Sequence, residues 1–391
     1  MKNVKKILGT GLMILAMGST YACGLKAKTL PAESITTNLT PEEPKSSNNV
    51  VKIALLLDTS NSMDGLINQA KAQLWDIVNK FTSARCGNHE RPNLQIALYQ
   101  YGNDDLSSRE GYIQQVIGFS SDLDEISEKL FSLTTNGGEE FCGQVIQTSI
   151  SRLDWGKNQD HLKMVFIAGN EPFTQGKLNY RDAVNNAKEK DIVVNTIFCG
   201  NYQQGINTHW KAGATLTGGE YMAIDHNRQV VHIATPYDDV IIKLNSRLNK
   251  TYISYGALGA SKIQKQSAQD ANAMEMEEVV AVKRAVSKSS RLYKNSSWDL
   301  VDASDELDFD VSKINKAQLP TEFKGKSDTE IEQLIDDKKT ERNAIQKEIQ
   351  EANSKREQFI AQHQKDTSGE LENAMLSAIQ RQAAKKNYTW D

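Results

Sequence analysis

From residue 51 to residue 250, short apolar runs alternate with segments whose apolar residues recur at helical spacing. Val51–Leu57 is the first apolar run, and its unbroken character predicts a strand that is covered on both faces. Leu66–Phe81 follows with helical spacing and predicts an amphipathic helix. Tyr112–Phe119 alternates in polarity and predicts an antiparallel edge strand. The same criteria predict strands at Leu94–Tyr101, Lys163–Ala168, Ile192–Cys199 and Glu220–Ile224, and helices at Leu123–Leu133, Val145–Leu153, Arg181–Lys190 and Trp210–Leu216.

Strands that alternate with helices are typical of an α/β fold with a doubly wound, mostly parallel sheet and helices on both faces. We assign residues 50–250 to this domain. Asp225–Arg228 predicts a turn, and Val230–Ile233 predicts a partner strand that returns from it. Thr235–Asp238 then predicts a helix start, with Thr at the N-cap and Pro at the first helical position.

The pattern changes after Lys250, where residues 251–326 form a mixed polar connecting region and residues 327–391 a C-terminal α-helical extension. Ser327–Glu330 is a capping box that predicts a long charged helix to about Gln364. Glu370–Lys386 predicts a second helix, so that the two could form a helical hairpin. The sparse apolar positions argue against a sustained heptad coiled coil. A basic run favours a solvated face over a membrane-surface contact; it comprises Lys283, Arg284, Lys288, Arg291 and Lys294.

The N-terminus has the features of an export signal in residues 1–22. A charged segment with Lys2 and Lys5 precedes the short apolar run Ile7–Met17, and small residues lead to Cys23. Thr20–Cys23 fits signal-peptidase cleavage and also resembles the lipobox of bacterial lipoproteins, in which the cysteine is acylated. We therefore expect a protein of the bacterial cell envelope, either anchored to the membrane through a lipid on Cys23 or free in the periplasm. Residues 23–49 read as a flexible linker.

Three hard oxygen ligands follow the first predicted strand. Asp58 lies where the strand ends, and Ser60 and Ser62 come from the loop beyond it. Ligands of open α/β sheets bind outside the carboxyl ends of the strands. Carboxylate and hydroxyl oxygens suit a small divalent cation such as Mg²⁺, with Ca²⁺ or Mn²⁺ as alternatives.

The Asp58-x-Ser60-x-Ser62 pattern resembles the metal-ion-dependent adhesion site (MIDAS) of von Willebrand factor type A (VWA) domains. The resemblance covers about residues 50–250 and implies a VWA, Rossmann-like fold. It implies that the two serines bind the metal directly and that the acid often acts through water. In the family, a partner protein's carboxylate usually completes the metal shell.

The resemblance is incomplete at two positions. Glu139 stands where the family has a threonine, and Asn170 stands where it has an aspartate. Asp58 and Glu139 would still provide two acids, and Asn170 a carbonyl oxygen. A directly bound glutamate would weaken the attraction of the metal for an acidic partner. Alternative ligands are the hydroxyl of Thr134 or Thr135 and the carboxylate of Glu171. A different interpretation is that the serines only cap the following helix.

The cysteines after Cys23 are Cys86, Cys142 and Cys199. Cys142 and Cys199 are expected at the same rim of the sheet and Cys86 at the opposite rim, which predicts a Cys142–Cys199 disulfide. The alternative is three buried thiols.

Composition and motifs provide no argument for an enzyme or a nucleic-acid-binding protein. A net charge of −4 and a pI near 6.0 do not favour nucleic acid. The chain has no HExxH or GxSxG motif, and Gly325–Ser327 is a helix cap, not a phosphate loop. We expect a non-enzymatic binding module for an unknown protein partner, with no small-molecule substrate. The alternatives are a metal-free structural scaffold in the envelope and a hydrolase with an unrecognised site.

Overall fold

The strand β1 (Val50–Asp58) is the central strand of a six-stranded sheet with the order β4-β3-β1-β5-β6-β7. It pairs in parallel with β3 (Asn93–Tyr101) and β5 (Leu162–Gly169), and the sheet continues in parallel through β6 (Val193–Cys199) and β7 (Tyr221–Ile224). The computed structural model describes residues 49–87, 90–225, 233–363 and 370–390, with backbone alone for 370–374.

The edge strand β4 (Ile113–Ser120) pairs antiparallel with β3, as its alternating sequence predicted. Each of the six strands in this sheet was predicted within about one residue of its observed ends. The predicted fold class is therefore confirmed. A separate two-stranded antiparallel sheet pairs β2 (Ala84–Cys86) with β8 (Tyr388–Trp390).

Helices cover both faces of the sheet because alternate residues of β1 point to opposite sides. Leu55 and Leu57 join one core, and Ala54 and Leu56 join the other. The first core is built with α1 (Asp64–Thr82), α2 (Leu123–Phe131), α7 (Asp238–Asn249), α8 (Gly259–Met276) and α9 (Glu278–Lys288). The second is built with α3 (Cys142–Arg152), α4 (Tyr180–Glu189) and α6 (Trp210–Leu216); the short α5 (Tyr202–Asn207) lies beside α6.

The chain therefore leaves β1 and β5 toward opposite faces of the sheet. After β1 it enters α1 in the first core, and after β5 it enters α4 in the second core. This divergence opens a crevice between the carboxyl ends of the two neighbouring strands, where ligands of doubly wound sheets bind.

Some expectations lie outside the described residues. These are the leader in residues 1–22, Cys23 with nearly all of the linker, and most of the turn and return strand expected after Ile224. Among the residues that the structure does describe, no helix is long and apolar enough to cross a membrane.

The connecting region is more ordered than its composition indicated. It contains α8, α9 and the short α10 (Leu300–Ala303), and two of its basic residues are buried. The Arg284 side chain is 1% exposed, and its nitrogens contact Asp124 at 2.8 Å and Asp270 at 2.6 Å. The fully buried Lys288 contacts Asp270 at 2.8 Å. A solvated face or a membrane contact is therefore wrong for Arg284 and Lys288, because acids distant in the sequence neutralise both.

The long helix α11 (Asp328–His363) begins at the predicted capping box. The backbone N–H of Ser327 donates to the Glu330 carboxylate at 2.8 Å, and the Glu330 N–H donates to the Ser327 hydroxyl at 3.3 Å. The helix is attached to the rest of the protein by two buried arginines. Arg342 contacts Asp299 and Asp302, both at 2.7 Å, and Arg356 contacts Asp238 at 2.8 Å.

The last helix, α12 (Glu370–Ala384), lies against α1 and β7. Its Gln382 and Asn195 of β6 exchange amide hydrogen bonds of 2.5 and 3.2 Å in the core. The chain then continues into β8, whose Trp390 indole donates to the Lys80 carbonyl at 3.1 Å. The end of the chain therefore packs on the α/β domain.

Arg284 provides a test of this shared core. We expect Arg284→Met to lower the free energy of unfolding by about 3–5 kcal/mol, because it leaves Asp124 and Asp270 buried without their cation. Urea denaturation measures the change. Arg247→Met is the control, since the Arg247–Glu348 contact is half exposed and should contribute less than about 1 kcal/mol. Equal losses in the two variants would contradict the role of Arg284.

Candidate functional site

Asp58 ends β1 with a fully buried carboxyl group at the mouth of the crevice. One of its oxygens, Oδ1, accepts the backbone N–H of Ser60 at 2.8 Å, and this bond closes the turn. The next residue, Thr59, donates its backbone N–H to the Tyr101 carbonyl at 2.9 Å. The loop is thus attached to β3, which brings the Ser60 hydroxyl back toward the strand end.

The second acid at this position is Glu140, whereas sequence reasoning selected Glu139. The Glu140 side chain is 5% exposed, but Glu139 is exposed to solvent. Gly102 shows how close Glu140 is to Asp58. A Cβ atom on Gly102 would lie 2.6 Å from Glu140 Cγ and 2.9 Å from Asp58 Oδ1. Gly102 also has a φ of +75°, so both its conformation and its surroundings require glycine.

Both acids have pKa values far above those of ordinary carboxyl groups. Burial is the main cause for Asp58, whose pKa is raised to about 7. Burial and then the Asp58 charge raise the pKa of Glu140 to about 8. The nearby Ser60 hydroxyl lowers both pKa values, although it forms no hydrogen bond of normal geometry. Both carboxyl groups therefore favour the protonated, neutral form at pH values at which ordinary carboxyl groups are ionised.

Three buried oxygen atoms at this strand end have no hydrogen-bond partner: Asp58 Oδ2, Ser60 Oγ and Asn170 Oδ1. Asn170 follows β5, and its side-chain N–H donates to Ser62 Oγ at 3.1 Å, so the structure brings these predicted residues together. Unsatisfied buried oxygens are costly and rare. Carboxylate, hydroxyl and amide oxygens are the donors that hard divalent cations prefer. The side chains present therefore fit such an ion.

The oxygen atoms that could bind a cation come from carboxylate, hydroxyl and amide groups. Within the described ranges, no group of three or more histidine, cysteine, aspartate or glutamate side chains is arranged to hold a metal ion. A cation here would depend on the hydroxyl and amide oxygens as well as on the two acids.

The serines do not act as helix caps. Ser60 precedes a short 3₁₀ turn but makes no side-chain capping hydrogen bond, and the N-cap position of α1 is Met63. The capping interpretation is therefore wrong. Of the alternative ligands, Thr134 is exposed, and the Thr135 hydroxyl donates to the Asp64 carboxylate. The charge of Glu171 raises the pKa of both buried acids, but its own side chain is exposed.

Close backbone contacts fix the loop that carries Glu140. The Asn136 N–H donates to the Thr59 carbonyl at 3.0 Å, and the Asp104 N–H donates to the Gly137 carbonyl. A Cβ atom on Gly138 would lie 2.5 Å from the Gly102 carbonyl oxygen, so only glycine allows this approach. These contacts determine which of the two adjacent glutamates points inward. The sequence signal was the Glu139–Glu140 pair itself, of which the structure buries Glu140 and leaves Glu139, the predicted ligand, exposed.

The predicted Cys142–Cys199 disulfide is absent, and this prediction is wrong. Cys86, Cys142 and Cys199 are all buried free thiols, which was the alternative considered. Cys142 belongs to the core beneath α3 and α4, whereas Cys199 belongs to the core on the α1 side. The sheet separates the two sulfur atoms, and burial raises the pKa of both thiols. The cysteines therefore pack in the cores and do not fix the site loop.

Comparison with known proteins agrees with this fold. Residues 52–209 match the family model of the von Willebrand factor type A domain. Domains of this family are commonly protein-interaction modules. No curated protein matches the chain.

Several solved structures are similar at low identity. The conserved hypothetical protein BatB from Bacteroides thetaiotaomicron is 14% identical, with 45% of this chain and 90% of that chain covered and a TM-score of 0.34. The SpRpn10 VWA domain is 13% identical, with coverage of 46% and 90% and a TM-score of 0.35. The pilus adhesin SpaC from Lactobacillus rhamnosus GG is 14% identical, with coverage of 46% and 28% and a TM-score of 0.33. The chain thus contains a VWA-type α/β fold, matched by the family model over residues 52–209.

Proposed function

We propose that this protein is a non-enzymatic binding module that engages a protein partner at the carboxyl end of its sheet, with a divalent cation bound there. The proposed ion is Mg²⁺, and the same oxygen donors would also bind Ca²⁺ or Mn²⁺. The observation that carries the proposal is the set of three buried oxygens without hydrogen-bond partners at the end of β1 and β5.

The residues that would hold the ion are Asp58, Ser60, Ser62, Asn170 and Glu140. Glu140 takes the role that sequence reasoning gave to Glu139, because its side chain faces Asp58 while Glu139 faces solvent. When bound, a divalent cation supplies the positive charge that two buried carboxylates lack. The side chains of the protein would fix the position of the ion and balance its charge. The loop after β1 would present the ion to a partner.

We place the module at the bacterial cell envelope. The support is the charged and apolar segment of residues 1–22 and the cysteine at position 23, which would carry the lipid anchor. If Cys23 is not acylated, the same leader would deliver the protein to the periplasm.

A metal-free scaffold is the second candidate, and the raised pKa values favour it. Because the pKa of Asp58 is about 7 and that of Glu140 about 8, the pair can remain protonated and neutral near pH 7 without a cation. The scaffold would then act through its surface and its C-terminal helices.

Isothermal titration calorimetry with Mg²⁺ separates the two candidates. We expect the wild type to bind one ion per chain, and Glu140→Gln or Ser60→Ala to weaken binding by at least about tenfold. Glu139→Gln is the matched control and should change affinity less than about twofold, because the Glu139 side chain faces solvent. No heat of binding in the wild type would favour the scaffold. A loss in Glu139→Gln but not in Glu140→Gln would reverse the ligand assignment.

Stability without metal should fall as the pH rises, and Mg²⁺ should reduce this fall. In chelator, the folded acids have pKa values near 7 and 8, whereas the unfolded values are 3.8 and 4.5. The folded protein therefore holds protons that the unfolded chain has released. This contribution to stability is full at low pH and is lost as the pH rises through 7 and 8.

We thus expect the melting temperature in chelator to be lower at about pH 8 than at about pH 5.5, by about 3 °C or more. Mg²⁺ should raise it more at the higher pH, because the ion replaces the protons. Circular dichroism melts measure both effects. The Asp58→Asn/Glu140→Gln variant should lose most of the pH dependence, and an unchanged dependence would contradict this assignment.

A further inference from the structure

We infer that the partner segment that docks on this site is cationic, a protein segment rich in lysine or arginine, and not one that presents a carboxylate. The inference deepens the proposed function, on which it rests. It concerns the exposed surface around the buried oxygens, which we call the acidic rim and define by Asp64, Asp104, Asp105, Glu139 and Glu171. All five side chains are exposed.

Hydrogen bonds between the loops place these acids around the same opening. The Thr135 hydroxyl donates to the Asp64 carboxylate, and the Asn136 amide donates to the Asp105 carboxylate at 3.0 Å. A Cβ atom on Gly137 would lie 3.4 Å from Asp104 Oδ2.

Glu139 and Glu171 are the other two members of the rim. Glu139 is the neighbour of the buried Glu140, and Glu171 directly follows the site residue Asn170. The charge of Glu171 reaches both buried acids. The rim therefore comes from four loops that meet over the end of β1.

The rim stays negative even with a divalent ion bound. Such an ion offsets only the two buried acids, Asp58 and Glu140. Glu110 in the second loop is already paired with Arg152 at 2.8 Å. In loops 58–66, 102–112, 134–141 and 170–179, the five rim acids then remain against two basic residues, Arg109 and Lys177. A field of this sign attracts cationic surfaces and repels anionic ones.

A partner carboxylate would meet two obstacles here. Two carboxylates of the chain that bind the metal directly would offset its formal charge and weaken its attraction for a third. The incoming acid would also pass Glu139 and Glu171, and like charges in close contact are costly. A lysine or arginine side chain would instead be attracted by the acids of the rim.

The rim differs from an ordinary solvated acidic surface in what lies beneath it. Asp58 Oδ2 and Ser60 Oγ are buried without hydrogen-bond partners. Asp58 has no exposed area, and Ser60 is 5% exposed. These unpartnered atoms indicate a bound ligand independently of the rim charge.

Two fluorescent synthetic peptides test the inference in the full chain. One alternates lysine with glycine, and the other alternates glutamate with glycine. In fluorescence anisotropy with Mg²⁺, we expect the lysine peptide to bind and the glutamate peptide not to bind. Raising the salt from about 50 to about 200 mM should weaken lysine-peptide binding at least about threefold.

Matched charge variants locate the contact. Asp104→Asn/Asp105→Asn/Glu139→Gln should weaken binding of the lysine peptide at least about tenfold. The control, Glu332→Gln/Asp336→Asn/Glu351→Gln, removes the same charge from the exposed side of α11 and should remain within about twofold of the wild type. Comparable losses in both variants would show non-specific attraction and overturn the inference.

Two further outcomes would also overturn it: Mg²⁺-dependent binding of the glutamate peptide, and no binding of either peptide. Calorimetry with Mg²⁺ on the same samples tests the proposed metal separately. If lysine peptide binds at the rim but no Mg²⁺ heat is seen, the metal fails and the cationic partner stands. If Mg²⁺ binds and the glutamate peptide follows it, the metal stands and the cationic partner fails.

Discussion

The buried carboxyl group of Asp58 is the constraint around which the carboxyl end of the sheet is built. Burying a charge is costly unless hydrogen bonds or opposite charges compensate for it. Here the Ser60 backbone N–H donates to Asp58 Oδ1, and Oδ2 has no hydrogen-bond partner. Two glycines make room for this group, since a Cβ on Gly102 or on Gly169 would lie within about 3 Å of an Asp58 oxygen. Glu140 is then packed into the same space. The fold thus keeps two acids together at a cost in stability, an arrangement typical of functional sites.

The helices that follow residue 250 meet the same electrostatic problem with a different solution. Arg284, Arg342 and Arg356 are each almost fully buried, and each is bound to acids of other elements. Arg342 also lies over the Tyr252 ring, 4.0 Å from its centroid. Buried pairs of this kind add less to net stability than to specificity, because a helix packed in another register would leave its guanidinium group unpaired. The helical extension therefore has a defined position against the α/β domain, in contrast to a spacer that stands away from it.

Sequence patterns predicted the sheet well because its central strands are long, apolar and covered on both faces, and because the edge strand β4 alternates in polarity. They failed where the outcome depends on contacts between distant residues. Whether Glu139 or Glu140 points inward is fixed by the approach of Gly138 to the Gly102 carbonyl, which no local pattern contains. Arg284 and Lys288 looked solvated because Asp124 and Asp270 are separated from them in the chain. The cysteine pairing failed because a shared rim does not determine a shared face of the sheet.

The central position of β1 has a mechanical consequence. The described chain begins at Asn49, directly before β1, and the site lies at the other end of this strand, about 30 Å away at the rise of an extended strand. A pull between an anchored Asn49 and a partner held at Asp58 would run along β1. Because both points of force lie on one strand, the covalent backbone of β1 would carry the load, and the hydrogen bonds that join β1 to β3 and β5 would not be sheared. The strand that carries Asp58 would thus transmit tension without separating the strands of the sheet.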